Sequence, residues 1–416
     1  MMAPMPLDQS PRPFPTAAMI PRRRLVSLDI FRGMTVAAML LVNDPGDWGA
    51  IYWPLRHAEW HGWTPTDLIF PFFLFMVGIT TRLSLGRRRA AGDDQGALMR
   101  QILRRGALLF LFGLLLNWFP GYTPGAESGD WMASLADRLL HLRFPGVLQR
   151  IAIAYVAVAF LTLKAPLRLQ ILLIPTILLA YWLLLMGVAV PGSGATGVAA
   201  IATPAGTLAA ALDRALCDWG PLGNHLWDQG VTWDPEGLLS TLPALATTLL
   251  GVTAGAWIGR DLALDRRIAG LALAGVAGIF LGLLWNMGFP INKNLWTSSY
   301  VLLSAGFAAL SLAATMALVE QAGLKRWALP FLPFLPFGVN PILAYVGSEL
   351  MAILIYEVIA VPEAGNSVPI EAWIYRHGFL SWLGPANASL GFALLFVAVW
   401  WAILAVFQRR GIILKI

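Results

Sequence analysis

Apolar runs of about 20 residues recur along this chain, separated by short polar stretches rich in Pro and Gly. That is the spacing of helices crossing a bilayer whose hydrocarbon core is about 30 Å thick. About ten such runs are legible. They lie near 25–44, 65–85, 104–119, 146–164, 167–188, 237–258, 267–287, 296–319, 337–359 and 388–407. The ninth is interrupted by Pro330, Pro333, Pro336 and Pro341. It reads either as a kinked span or as a re-entrant piece followed by a helix. Larger loops fall near 120–145, 189–236 and 360–387, and a shorter one at 45–64.

Composition agrees with the pattern. The chain has 416 residues, 58% hydrophobic and only 12% charged, against roughly 25% charged in soluble domains. The expected fold is an all-α polytopic transmembrane bundle. Residues 25–416 form one membrane-embedded domain, preceded by a Pro-rich tail, 1–24, that ends in Arg22, Arg23 and Arg24. Asp29 and Arg32 interrupt the first run and no small-residue cleavage site follows, so it reads as a retained helix, not a signal peptide. The net charge of +6 reports orientation in such a chain and does not call for nucleic acid. With the N-terminus in the cytoplasm, most of the 29 basic residues fall on inner loops. Arg56, Arg138, Arg143, Arg150, Arg214, Lys293 and Arg376 remain outside. Both termini are then cytoplasmic and the 45–64 loop faces out. The single cysteine, Cys217, allows no internal disulfide. No repeat stands out that would argue for an inverted-repeat transporter.

Polar residues inside apolar runs carry the chemistry. In "SLDIFRGMTVAAMLLVN", Asp29 and Arg32 share a helix face and Asn43 falls about 40° from Asp29 on the wheel. The stripe extends about 21 Å along the helix. A structural ion pair accounts for Asp29 and Arg32 as readily as a channel does, but leaves Asn43 unexplained. The second span opens "TPTDLIFPFF". Thr64 before Pro65 is an N-cap pattern, and Asp67 suits the positive helix end. Asp67 is also placed to orient an imidazole from the preceding loop, which holds His57 and His61. A metal site there would need helical spacing and a third ligand, which Gly62 and Pro65 oppose, so no metal is expected. A catalytic base is the better use of an imidazole.

Three more clusters stand out. "WNMGFPINKNLWTSSY" brings Asn292, Lys293, Asn294 and Trp296 into one outer turn; amides and an indole suit a sugar, though Trp and Lys are also ordinary interfacial anchors. "RFPGVLQRIAIAY" offers Gln149 and Arg150, and "FGVNPILAYVGSEL" offers Asn340 and Glu349. On the inner side, Arg82, Arg87, Arg88, Arg89, Arg100, Arg104 and Arg105 face only Asp93 and Asp94. Anionic lipid and a phosphate-bearing donor would both use that charge.

The segments "SLDIFRGMTVAAMLLVN", "HAEWHGWTPTDLIFPFFLFMVG", "PGVLQR", "NKNLWTSSYV" and "GVNPILAYVG" resemble, in order, the signature segments of the heparan-α-glucosaminide N-acetyltransferase family and its bacterial relatives. The likeness runs from about residue 25 to the C-terminus. It implies a polytopic enzyme that takes acetyl from cytoplasmic acetyl-CoA and delivers it to a glucosamine amine, free or in a saccharide, on the other side. The family's catalytic histidine heads a His-Ala-x-Trp-x-Gly segment, here His57, and its active-site asparagine ends the first span, here Asn43. His61 falls at a variable position. On an acyl-transfer reading, Asp29 and Arg32 are expected to line the donor channel and Arg104 and Arg105, in the basic inner loop, to meet donor phosphates. Asp67, Gln149, Arg150, Lys293, Asn294, Trp296 and Asn340 shape the acceptor side. Ser348 precedes Glu349 where the lysosomal enzyme is expected to carry histidine, which bears on acceptor choice. The lysosomal member's leading region is missing, which implies a bacterial inner membrane. The expected partners are an amino-sugar acceptor and membrane lipid; a homo-oligomer is compatible with this. The rival readings are O-acetylation of a surface glycan and a sugar or lipid-precursor transporter without chemistry.

Overall fold

The computed structural model describes residues 25–121, 131–227, 233–321, 332–363 and 365–414. The tail 1–24 and Pro330 lie outside the described residues. Helices α1 (Val26–Asn43), α2 (Ile69–Ala90) and α3 (Gln95–Trp118) are followed by the short α4 (Trp131–Leu140). Then come α5 (Val147–Lys164), α6 (Leu167–Gly187), the short α7 (Leu208–Cys217), α8 (Thr241–Ile258), α9 (Leu264–Trp285) and α10 (Ser298–Glu320). The chain ends with α11 (Leu335–Val339), α12 (Pro341–Ile353), α13 (Ile370–Ile374) and α14 (Pro385–Arg409). A two-stranded antiparallel hairpin, β1 (Ala360–Glu363) and β2 (Asn366–Pro369), sits between α12 and α13.

Among the described residues nine helical segments are long and apolar enough to cross a membrane, so this is an integral membrane protein. The tenth expected span is α3, 24 residues long. It begins at Gln95, before the apolar run at 104, because Asp94 caps it by accepting from the Ala97 amide at 2.7 Å. Its arginine-bearing first turns lower its apolar average. Similarly, α2 runs on to Ala90 through Arg87, Arg88 and Arg89, cations that suit a helix C-terminus. The ninth run is two helices. Asn340 leaves the helical region (φ −122°, ψ 56°) between α11 and α12. Pro341 is the reason: it disfavours helical backbone at the residue before it and suits the first position of the next helix.

The bundle core is built where α2, α8 and α10 meet, around Leu74, Leu249, Val252, Tyr300, Val301 and Leu303. Close approach there needs residues without side chains: a Cβ on Gly251 would overlap the Phe75 carbonyl, and one on Gly78 the Thr248 carbonyl. Small residues at a helix contact are the usual means of packing where lipid removes the hydrophobic drive. Behind them α9 buries only Leu271, Gly275 and Gly282; beyond its charged first turn, Asp265 to Arg267, its remaining face is apolar, as a lipid-facing helix should be. A second core joins α1 to α11, α12 and α14 through Val36, Leu40, Phe337, Ala344, Phe396 and Trp400.

The described residues of the segment expected as loop, 189–227 and 233–236, form a folded cap. Tyr181, Leu185, Ile201, Ala209, Leu239, Phe289 and Leu295 form a continuous apolar cluster that ties it to α6 and to the turn before α10. Tyr181 Oη donates to the Leu295 carbonyl at 2.5 Å, and Trp60 Nε1 to the Ile201 carbonyl at 2.9 Å. The 45–64 loop is therefore pinned between the cap and the bundle.

Candidate functional site

Asp67 does both things that its position suggested. It lies in a single 3₁₀ turn, Pro65–Leu68, that leads into α2. One carboxylate oxygen, Oδ2, accepts from the Thr64 amide at 2.9 Å, the Thr64 hydroxyl at 3.1 Å and the Ala58 amide at 3.1 Å. That is the reciprocal cap of a helix start. The other oxygen, Oδ1, stands 2.7 Å from His57 Nδ1. Asp67 is 1% exposed while the His57 side chain is 48% exposed. A buried, rigid carboxylate thus holds a half-exposed ring. Below it, Tyr300 Oη donates to the Asp67 carbonyl, and Thr64 Oγ1 donates to the Arg56 carbonyl at 2.7 Å, closing the loop.

The second half of the site comes from the turn between α9 and α10. Asn286 Oδ1 accepts from the Ile291 amide at 2.7 Å, and the Ile291 carbonyl accepts from Gly62 at 2.8 Å. The turn is thereby stitched to the His57 loop. Asn292 folds it tightly: its Oδ1 accepts from the Leu295 amide at 2.9 Å and its carbonyl from the Thr297 amide at 3.1 Å. Its Nδ2 lies 3.4 Å from His61 Nδ1. Lys293 is delivered onto His57, with Nζ 3.1 Å from Nδ1, 3.2 Å from Nε2 and 3.9 Å from Asp67 Oδ1. Burial pushes the Lys293 ammonium below the ordinary lysine range; Asp67 and Glu236 draw it back up, and Arg150 depresses it further. An imidazole, a carboxylate and a reluctant ammonium therefore share one small volume.

Trp296 makes this turn possible and is not an exposed platform. It is 1% exposed and holds a left-handed φ of 52°, a conformation that costs a bulky residue about 1–3 kcal/mol. Its Nε1 donates to Thr247 Oγ1 at 3.0 Å, and Phe70 and Tyr300 meet its ring edge-on with centroids 5.0 and 5.3 Å away. Arg150, also 1% exposed, lies over the same ring at 5.0 Å. Its Nη2 donates to the Gly237 carbonyl at 3.1 Å and to Ser240 Oγ. Gln149 is 3% exposed and fills the space left by Gly113 and Gly146. Asn294 is half-buried and lines a small cavity with Trp233, Asp234 and Ser240.

A buried ion cluster supports the cap. Arg143 Nε and Nη2 donate to Asp234 at 2.8 and 2.7 Å, and Nη2 also donates to Glu236 at 2.5 Å. Burial disfavours the Arg143 charge, but Asp234 and Glu236 outweigh it and hold the guanidinium above its usual range. Burial likewise raises Glu236, and Arg143, Arg150 and Lys293 more than reverse that. Asp234 is 0% exposed, and removing one partner of a buried pair costs about 3–5 kcal/mol because the other charge is left uncompensated. Arg143→Met is therefore expected to lower thermal stability by about that amount, and Arg143→Lys by less, as read by the melting midpoint of the detergent-purified protein.

At the C-terminal end of α1, Asn43 Nδ2 donates to Glu349 Oε1 of α12 at 3.3 Å, so the far end of the expected α1 stripe is tied to a second helix. The other expected residues near the start of α1 and of α12 have different partners. Arg32 lies 3.6 Å from Asp29 and donates to the Gly338 carbonyl at 3.0 Å, where α11 crosses α1. Asn340 spends its amide on the C-terminal segment, donating to the Ile412 carbonyl at 3.0 Å and accepting from the Leu414 amide at 3.0 Å. It stands at the opposite end of α12 from Glu349. Arg105 lies over the Tyr155 ring at 5.0 Å, and Arg104 is exposed on the same part of α3. Thr64, Arg143, Asp234, Glu236 and Tyr300 were not expected as site residues. Only the Thr64-to-Asp67 capping spacing carried a local signal for any of them.

These features define a membrane-embedded helical protein with a carboxylate-held imidazole at the N-terminal lip of its second span. Residues 24–196 match the family described as heparan-alpha-glucosaminide N-acetyltransferase, catalytic, a stretch that contains Asn43, His57, Asp67 and Arg150. The chain is 32% identical over 389 residues to the heparan-alpha-glucosaminide N-acetyltransferase of Homo sapiens, covering 83% of this chain and 56% of that protein. It is 32% identical over 372 residues to that of Mus musculus, covering 79% of this chain and 54% of the relative. It belongs to the heparan-α-glucosaminide N-acetyltransferase family. The chain spans about half the length of the curated relatives it matches.

Proposed function

We propose that this protein is a transmembrane N-acetyltransferase that passes acetyl from cytoplasmic acetyl-CoA to the amine of glucosamine, free or in a saccharide, at the outer lip. The observation that carries the reading is the 2.7 Å contact between His57 Nδ1 and buried Asp67. With Nδ1–H donated to the carboxylate, the lone pair lies on Nε2, which is the arrangement of an oriented general base. The acceptor reaches the site as an ammonium and must lose a proton before it attacks; Nε2 takes it. Direct attack on the thioester and transient acetylation of Nε2 both fit this geometry. Asn43, at the outer end of α1, offers an amide donor to the thioester carbonyl or its developing oxyanion. Arg104 and Arg105, on the inner half of α3, offer charge for donor phosphates, and the Asp29 and Arg32 pair borders the route along α1. The distribution of basic residues supports an exterior His57 loop and cytoplasmic termini.

The test is a panel of acceptors supplied to purified protein with acetyl-CoA, following release of the free thiol. Release that requires glucosamine or a glucosamine oligosaccharide is expected. Release that requires only hydroxyl acceptors, or sugar uptake into proteoliposomes without any thiol release, overturns the reading.

A further inference from the structure

Among the described residues Lys293 is the lysine that brings its amine against His57. Its Nζ lies 3.2 Å from His57 Nε2, within the reach of a general base for the proton it removes. It is held there by the hydrogen-bonded turn at Asn292 and by the left-handed backbone at Trp296, so it stands where an acceptor amine would have to stand. We propose that Lys293 is itself an acetyl acceptor of this site, modified when the thioester donor is present and the sugar amine is absent. The inference rests on the acetyl-transfer reading above. The step balances without further reagents. The acyl C–S bond of the donor breaks and an amide C–N bond forms at Nζ. The Nζ proton passes to His57 Nε2, and the thiolate departs and is protonated to CoA.

The groups that face Lys293 act on its proton in both directions, with burial prevailing. Asp67 comes from the turn before α2, His57 from the loop before it, Glu236 from the cap and Arg150 from α5. Burial keeps the amine more readily deprotonated than an ordinary lysine, although Asp67 and Glu236 partly restore its proton. Lys164, exposed at the C-terminal end of α5, the opposite end from Arg150, is the comparison lysine. Acetylation removes the charge next to His57 and places an amide in the acceptor's position, so the modified site is blocked to sugar.

The experiment is to incubate the purified full chain with acetyl-CoA at neutral pH, with and without saturating glucosamine, and to quantify acetyl-lysine by peptide mass spectrometry. Without acceptor, Lys293 is expected to become acetylated at least tenfold faster than Lys164. Glucosamine should suppress this, and His57→Ala should bring Lys293 down to the Lys164 rate. The inference is overturned, alone, if the preparation acetylates glucosamine while Lys293 stays unmodified. It is also overturned if His57→Ala leaves the Lys293 rate unchanged. If neither Lys293 nor any amine acceptor is acetylated, the acetyl-transfer reading falls with it.

Discussion

Replacing His57 with alanine is expected to reduce glucosamine-dependent thiol release by about 10²–10⁴-fold, the usual contribution of a positioned base, or to abolish it if the ring carries the acetyl group. The protein should remain folded. The His57 side chain is 48% exposed and packs into no apolar cluster. Asp67 keeps its three contacts from Thr64 and Ala58 when the ring is lost. The check is therefore paired: rate by thiol release, and integrity by melting midpoint and elution volume. A variant that loses activity and unfolds would mean that the ring is structural. A variant that is folded and fully active would remove His57 from the mechanism.

Asp67→Asn is expected to have the second largest effect, and comparison with Asp67→Ala separates its two duties. Asparagine can still accept through its amide oxygen from one set of donors, so the cap at Thr64 is largely kept. It cannot serve as acceptor on both sides: turned to cap the helix, it presents NH₂ to His57 Nδ1 and favours the tautomer with the proton on Nε2. A base with its lone pair on the wrong nitrogen is expected to lose on the order of 10²–10⁴ in rate. Alanine also leaves the Thr64 and Ala58 amides without their acceptor, at about 1–3 kcal/mol for each group that stays buried. Its melting midpoint should fall where that of asparagine does not. Equal stability loss in both, with no difference in rate from wild type once folded, would reduce Asp67 to a helix cap.

Asp67 also shows how far local sequence reaches. Thr64, Pro65 and Asp67 are within four residues, so capping is a local matter and was legible. His57 is ten residues from Asp67, close enough for the loop to offer it but not to say which oxygen it meets. Lys293 is 236 residues from His57. Nothing in "NKNLWTSSY" says that its ammonium, and not its indole, reaches the imidazole. Trp296 was expected to be a sugar platform because exposed indoles at an outer turn commonly are. Burial under Arg150 and Phe70 reversed that, and no periodicity in a short turn reports burial.

The sequence by itself determined the membrane class, the positions of nearly every span and that proline interrupts the ninth, though not at which of four prolines. Each follows from the chain's immediate covalent neighbours: run length against bilayer thickness, and the steric demand of a proline ring on the residue before it. It also carried the resemblance that singled out Asn43 and His57. Only the tertiary structure decided which polar groups meet. The pairing of Arg143 with Asp234 and Glu236, of Asn43 with Glu349 and of Lys293 with His57 depends on helices that are distant in sequence being packed side by side. The physical reason is range. Caps and spans are set by interactions a few residues long, whereas hydrogen bonds and ion pairs form between whatever side chains the packing of glycine-lined helices brings within about 3 Å.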